Sequence, residues 1–463
     1  MESLNFLDYQ INHIGQTILM YPMPECPVGC SYCFEADFFA KKEGYNRELI
    51  AESLKKIMEQ RGQKEGDYKK NTNNYNQPGH IILHGGEVLT LPIKDFEFFI
   101  KLMLKYQPQP AIQTSLFGMS DKHVRLIKKY NVSVGVSLDG PAELNILRGP
   151  RDPERNKKYQ IEAARNLDIL RNDEKLQCGT VTVINKANAG NFSKLEKLVE
   201  WSRTKTDGGR FNAMFVPNFI ENHPIGQYAL SPDELTNAFL YMLNASFEYQ
   251  DFRPSFVQEM SDNLLGMGLQ SCQFSRCDYL TTKCVTIMPN GLLARCDRCF
   301  QDGYFYASTT LGETQQRAFV LGQTECLDPN SKHSPILGEC APEEKFLCRY
   351  WNVCGGGCPG ENADYRHKTN NCKMYYTIYS KLEGILRKLY PEVTLAIDLP
   401  PDYYYMYPSQ GKYLNPDIQR SRMNHYGMRM TETEAATCNN SENLQKEARK
   451  RGVNHLDEYT NRL

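Results

Sequence analysis

Residues 17–34, TILMYPMPECPVGCSYCF, run from a β-branched, apolar stretch straight into a loop with cysteines at 26, 30 and 33. The stretch 17–23 has strand composition, and the loop has the spacing C-x3-C-x2-C. Three thiolates so close in sequence can hold three corners of a cubane iron–sulfur cluster and leave the fourth iron unligated. An open iron can bind the amino and carboxylate groups of a small molecule, which turns an electron carrier into a place where a bound molecule is cleaved reductively. The competing chemistry is a structural zinc site, which needs a fourth ligand nearby. The next histidine downstream is His80, so the cluster is the better reading.

Working outward, strand-like runs alternate with helical patterns. Apolar residues recur at helical spacing over 47–59, a polar stretch over 66–79 breaks the pattern, and 80–83 reads as the next strand. Further strands are expected at 111–115, 133–137, 180–184 and 213–216, separated by helices at 95–104, 121–129, 156–170 and 193–203. Six β/α repeats in about two hundred residues predict an α/β fold, a partial (β/α)6 TIM-like barrel. Right-handed crossovers would then place every strand's carboxyl end on one rim, where barrel enzymes keep their chemistry.

Two motifs fall at those carboxyl ends. Gly85-Gly86-Glu87 follows the second strand, where two glycines let backbone approach a ligand. Ser137-Leu138-Asp139-Gly140-Pro141 follows the fourth. With Tyr32 before the last loop cysteine and Phe34 after it, the set resembles the radical S-adenosylmethionine (radical SAM) enzymes. The resemblance implies that Cys26, Cys30 and Cys33 hold a SAM-binding [4Fe-4S] cluster and that Gly85, Gly86 and Glu87 meet the methionine amino group. It further implies that Ser137 lies near the ribose and Asp139 near the active-site mouth, the alternative for Asp139 being an Asp-Gly-Pro turn. A side chain at position 86 is expected to block SAM while leaving the cluster in place. Val88 stands where the family usually has proline, and Gln113-Thr114-Ser115-Leu116 where many relatives read Thr-Asn-Gly. Asn145 and Arg148 match a common Asn-x-x-Arg stretch.

A second cysteine field lies downstream: Cys277, Cys284 and Cys296, then Cys340, Cys348, Cys354 and Cys358, and finally Cys372. Gly291-x4-Cys296, Cys348-x5-Cys354-x3-Cys358 and the trailing Cys372 resemble the SPASM extension, the auxiliary-cluster domain of radical SAM enzymes that modify peptides and proteins. The step Cys340-x7-Cys348 departs from the family's C-x2-C. From the family's interleaved ligation, Cys277, Cys284, Cys296 and Cys358 would bind one auxiliary [4Fe-4S] cluster, and Cys340, Cys348, Cys354 and Cys372 a second, making three clusters in all. Two structural zinc sites are the alternative, and Cys272 or Cys299 could replace an assigned ligand. Cys178, at a strand start, reads as a small core residue. Asp297 follows a ligand directly. In related sulfatase-maturing enzymes an aspartate there takes the substrate's proton, while its own sequence context also allows an ion pair with Arg295 or Arg298.

Composition sets the outer bounds. Sixteen Cys among 463 residues, gathered in metal-like spacings, do not make a disulfide mini-protein. A formal charge of -1 gives no footprint for nucleic acid. The first residues lack a basic n-region, and no run reaches the length of a membrane span, so a cytoplasmic enzyme is expected. The expected division is a barrel over 1–225, a helical bridge over 226–271, a loop-rich, cysteine-rich SPASM domain over 272–385, and a C-terminal extension over 386–463 with a helical tail and the run Tyr403-Tyr404-Tyr405-Met406-Tyr407. The resemblance implies a peptide maturase that forms a thioether or carbon–carbon crosslink in a ribosomally made precursor peptide, or alternatively an anaerobic sulfatase-maturing enzyme that makes formylglycine from Cys or Ser. Expected partners are the peptide, an external one-electron reductant such as flavodoxin or ferredoxin, and, where a leader must be held, a separate leader-peptide-binding protein.

Overall fold

The computed structural model describes residues 17–23, 25–36, 44–60, 62–67, 80–174, 176, 178–206, 209–216, 224–265, 284–294, 305–306, 349–354, 369 and 371–398. The chain forms two compact units, Met1–Thr180 with Asp278–Gly338, and Val181–Cys277 with Glu339–Leu463.

In the first unit β1 (Thr17–Met20), α1 (Arg47–Gln60), β2 (His80–Leu83), α2 (Ile93–Met103), β3 (Ala111–Thr114), α3 (Asp121–Lys129), β4 (Ser133–Ser137) and α4 (Pro153–Asp168) follow one another, and β5 (Cys178–Ile184) begins at its end. The strands β1 to β4 pair in parallel, neighbour to neighbour. Each helix buries one stripe: Ile50, Leu54, Ile57 and Met58 on α1, and Phe96, Phe99, Ile100 and Met103 on α2, at the i, i+3, i+4, i+7 spacing of an amphipathic helix. Ile18 and Met20 on β1 and Ile81 and Leu83 on β2 are fully buried. The result is the parallel β/α order of a partial barrel, as the sequence predicts.

The other edge of β1 carries an addition. β7 (Cys284–Ile287) pairs with β1 in parallel, Thr17 against Cys284 and Met20 against Ile287. It then turns back through Gly291 into β8 (Leu293–Ala294), which pairs with β9 (Phe305–Tyr306). Gly291 has φ +79, and a Cβ there would lie 2.9 Å from Leu49 Cβ. Ser53 Oγ on α1 donates to the Gly291 carbonyl at 2.7 Å. The tight seat against α1 is why this marker position is glycine.

The second unit holds the rest of β5, α5 (Phe192–Lys205), β6 (Gly209–Ala213), α6 (Pro232–Glu248), α7 (Ser255–Leu264) and α8 (Cys372–Leu389). The sixth strand lies earlier than the apolar run 213–216 suggests. Gly209, Phe211 and Ala213 are buried while Arg210 and Asn212 are half-buried, the period of a strand, whereas Met214 and Phe215 are buried one after the other. Helix α4 likewise starts before the expected 156, because Asp152 caps it by accepting from the Arg155 amide and Pro153 takes its first turn. The helical bridge resolves into α6, opened by a Ser231–Glu234 capping box, and α7. Both pack against α8.

A charged cluster ties residues 349–354 to α8. Arg349 Nε reaches both Glu383 oxygens at 3.1 and 3.0 Å, Tyr350 Oη donates to Glu383 at 2.8 Å, and Arg387 Nε donates to it at 2.8 Å. Burial raises the affinity of Glu383 for a proton, but Arg349, Arg387 and Tyr350 outweigh it and hold the carboxyl down at about 2. Because the folded value lies below that of an unfolded glutamate, near 4.3, this contribution is complete above about pH 4.5 and is lost as pH falls toward 2. Glu383→Gln should cost about 1–3 kcal/mol at pH 7. Thermal midpoints of the two proteins should converge as pH is lowered through that window.

Candidate active site

The loop that leaves β1 carries Cys26, Cys30 and Cys33, all half-buried. Burial is the largest influence on each thiol and raises all three, Cys26 to about 12. The thiols also raise one another: Cys30 acts on Cys26, and both act on Cys33. Neighbouring thiols that resist ionisation in this way are stabilised as thiolates by a bound cationic centre. Among the described residues no group of three Cys, His, Asp or Glu side chains forms a single-ion site.

Tyr32, the aromatic residue before Cys33, has a specific task. Its hydroxyl donates to Asp139 Oδ2 at 2.5 Å, and Arg148 Nη2 donates to Asp139 Oδ1 at 2.9 Å. The Arg148 guanidinium lies 5.5 Å from the Tyr32 ring centroid, a cation–π distance. Tyr32, Asp139 and Arg148 are 7 %, 0 % and 9 % exposed. Asn145 Oδ1 accepts from the Asp139 amide at 2.7 Å, while Gln160 on α4 donates to the carbonyls of Asn145 and Arg148. The segment after β4 thus clamps the cysteine loop, and Asp139 is the clamp's buried anion.

The glycine pair lies beneath the same loop. Gly85 and Gly86 have φ +85 and +56, backbone that glycine adopts without strain. A Cβ on Gly85 would overlap the Tyr21 ring. One on Gly86 would overlap the Glu25 carbonyl and lie 2.9 Å from Met23 Cβ. This corrects the expectation that a side chain at 86 would meet SAM and spare the cluster, since the backbone it meets is that of the cysteine loop. Tyr21 stacks on His84, ring centroids 5.1 Å apart, and its hydroxyl donates to Glu35 at 3.1 Å.

Glu87 is fully engaged inward. Its carboxylate accepts from the Leu89 amide at 3.1 Å, Thr114 Oγ1 at 2.5 Å, the Ser115 amide at 2.8 Å and the Ser115 hydroxyl. Burial raises its pKa against those bonds. The side chain ties the end of β2 to the end of β3, so any ligand contact at this position falls to backbone. Ser137 Oγ accepts from Gln113 Nε2 at 2.6 Å at the ends of β4 and β3. Sequence reasoning left Ser115 without a role and did not single out Tyr21, His84, Tyr159 or Gln160. Tyr159 donates to the Ser115 carbonyl at 3.1 Å, a contact across 44 residues with no local signal.

Of the downstream cysteines, Cys284 starts β7 and packs beside the cluster of Leu19, Tyr21 and Met288. Cys354 ends the short helix Trp351–Cys354, and Cys372 starts α8. Asp297, Cys277, Cys296, Cys340, Cys348 and Cys358 lie outside the described residues, as do Cys272, Cys299 and 403–407. Cys178 is buried, in keeping with a core role.

A cysteine loop at the end of the first strand, a glycine pair under it and a charged clamp at the end of the fourth together make the candidate site. Residues 20–188, the segment that carries the cysteine loop, the glycine pair and the clamp, match the Radical SAM superfamily. A cysteine-type anaerobic sulfatase-maturating enzyme of Clostridium novyi is 24% identical over 407 residues, spanning 80% of this chain and 95% of that one. The serine-type enzyme of Bacteroides thetaiotaomicron is 22% identical over 388 residues, 76% of this chain and 86% of that one. Among solved structures, native anSMEcpe with bound AdoMet and Cp18Cys peptide is similar in fold, with TM-score 0.60 and 17% identity over 80% of this chain and 99% of that one. No helix among the described residues is long and apolar enough to cross a membrane.

Proposed function

We propose that this enzyme is a peptide maturase that oxidises a residue of a ribosomally made peptide, closing a thioether or carbon–carbon crosslink. The observation that carries the radical chemistry is the clamped loop of Cys26, Cys30 and Cys33 over Gly85 and Gly86. A cluster held by those three cysteines, reduced by an external one-electron donor such as flavodoxin or ferredoxin, would supply reductive cleavage of SAM to a radical that takes a hydrogen atom from the peptide. The chain's own residues hold that chemistry in place. Gly85 and Gly86 leave room for backbone to meet the methionine end of SAM, Ser137 stands at the ribose side, and Tyr32, Asp139 and Arg148 fix the loop.

The reading assigns two further clusters to the SPASM segment, 272–385, following the barrel, 1–225, and bridge, 226–271. Cys284, Cys296, Cys277 and Cys358 form one set. Cys284 begins the strand β7, whose Thr286 faces Ala294 and Ile287 faces Leu293 on β8. Cys284 is level with Thr17, roughly 13 Å along the strand from Tyr21 at about 3.3 Å per residue. Cys354 and Cys372, with Cys340 and Cys348, form the other set. Support comes from the bonds of Arg349 and Tyr350 to Glu383 on α8, the helix that Cys372 begins. Asp297 serves as the base that takes the substrate's proton. A separate protein binds the leader where one is needed.

A second reading, formation of formylglycine from Cys or Ser, is favoured by the sulfatase-maturating relatives. Anaerobic incubation with SAM, reductant and either a sulfatase-derived Cys peptide or a cysteine-containing precursor peptide separates the two by mass spectrometry. Crosslinking removes two hydrogen atoms and leaves no free aldehyde. Formylglycine leaves an aldehyde that a hydrazide traps, and finding it alone would replace the first reading by the second.

A further inference from the structure

The buried guanidinium of Arg148 has one donor that no contact explains. Its Nη2 is bonded to Asp139 and its face lies over Tyr32, yet Nε is buried without a hydrogen-bond partner among the described residues. An unpaired N–H on a buried cation is costly, so such an atom calls for a partner.

The surroundings indicate where that partner lies. Tyr32, under the guanidinium, sits between Cys30 and Cys33, and the Ser31 amide donates to the Leu147 carbonyl at 2.8 Å. The residues flanking Arg148 and Cys30 are therefore bonded to each other. The Gly149 amide bonds to Cys30 itself. Gly149 has φ +151, and a Cβ there would lie 2.8 Å from the Tyr159 ring, so only glycine brings that amide in.

We propose that Arg148 is a positioning residue that sets the reduction potential of the cluster held by Cys26, Cys30 and Cys33, its fixed charge and free Nε–H favouring the state with one more electron while Asp139 partly offsets it. The proposal rests on the cluster reading above. One electron arrives from an external one-electron donor protein. At Arg148 no bond forms or breaks and no proton moves. Hydrogen bonds to sulfur and local charge are established controls on cluster potential.

The test is an EPR-monitored redox titration of the anaerobically reconstituted full chain without SAM, following the signal that later addition of SAM alters and that therefore belongs to the cluster with the open iron. Arg148→Gln should lower the reduced-to-oxidised ratio at a fixed potential about tenfold, or about 59 mV for one electron. Asp139→Asn, which removes the offsetting anion, should shift the ratio the other way. Loosening of the clamp alone would move both variants in the same direction, and that result overturns the proposal. An unchanged potential with weakened SAM binding in Arg148→Gln also overturns it, assigning Nε to SAM. If Arg148→Gln takes up no iron, Asp139→Asn decides: a raised potential supports the proposal and an unchanged or lowered one overturns it. A wild-type chain with no SAM-sensitive cluster would instead overturn the cluster reading itself.

Discussion

Gly86→Val should strip the cysteine loop of its cluster, lowering iron by about four per chain and abolishing SAM cleavage. The position has φ +56, where a β-branched residue is an outlier, and the added Cβ would overlap the Glu25 carbonyl one residue before Cys26. Neither glycine nor loop can yield readily, because the loop is fixed from the other side by Tyr32 and Asp139. Gly62→Val is the matched control: φ is +67 and a Cβ there meets nothing within 4 Å. It should carry the backbone strain, about 1–2 kcal/mol, and keep its iron. A Gly86→Val protein with full iron that fails only to bind SAM would show that the side chain points at the cofactor after all.

Asp297→Asn should lower modified product by about a hundredfold to ten-thousandfold, or roughly 3–5 kcal/mol of barrier. A substrate thiol or hydroxyl must lose a proton as its carbon is oxidised, and asparagine keeps the size of the side chain without its basicity. Formation of 5'-deoxyadenosine should continue, uncoupled from product. Loss of iron together with activity would assign Asp297 to support of Cys296, and unchanged product would leave it as an ion-pair partner of Arg295 or Arg298.

How much was legible in the sequence depended on whether a signal was local. The strands His80–Leu83 and Ser133–Ser137 and the helix Asp121–Lys129 stand where periodicity put them, because a buried stripe or an alternating face is written in adjacent residues. The sixth strand is Gly209–Ala213 and not the apolar run 213–216, because a half-buried strand is marked by alternation rather than by apolar content. The site divides in the same way. Cys26, Cys30 and Cys33 announce themselves by spacing. Asp139 was balanced between a turn and a functional residue, and what resolves it into a buried anchor is its pairing with Tyr32, 107 residues away. Glu87 read as a ligand contact because it follows two glycines. Its bonds to Thr114 and Ser115 depend on β2 lying beside β3, which no motif spells out.

The central claim is that Cys26, Cys30 and Cys33 hold a cluster with an iron open to SAM. Replacing all three by alanine in the full chain, reconstituting anaerobically and measuring iron together with 5'-deoxyadenosine under a low-potential reductant tests it most directly. Wild-type protein should bind about twelve irons and the variant about eight, with 5'-deoxyadenosine formation abolished in the variant. Undiminished 5'-deoxyadenosine, or a wild-type protein that takes up zinc and no iron under those conditions, would contradict the account.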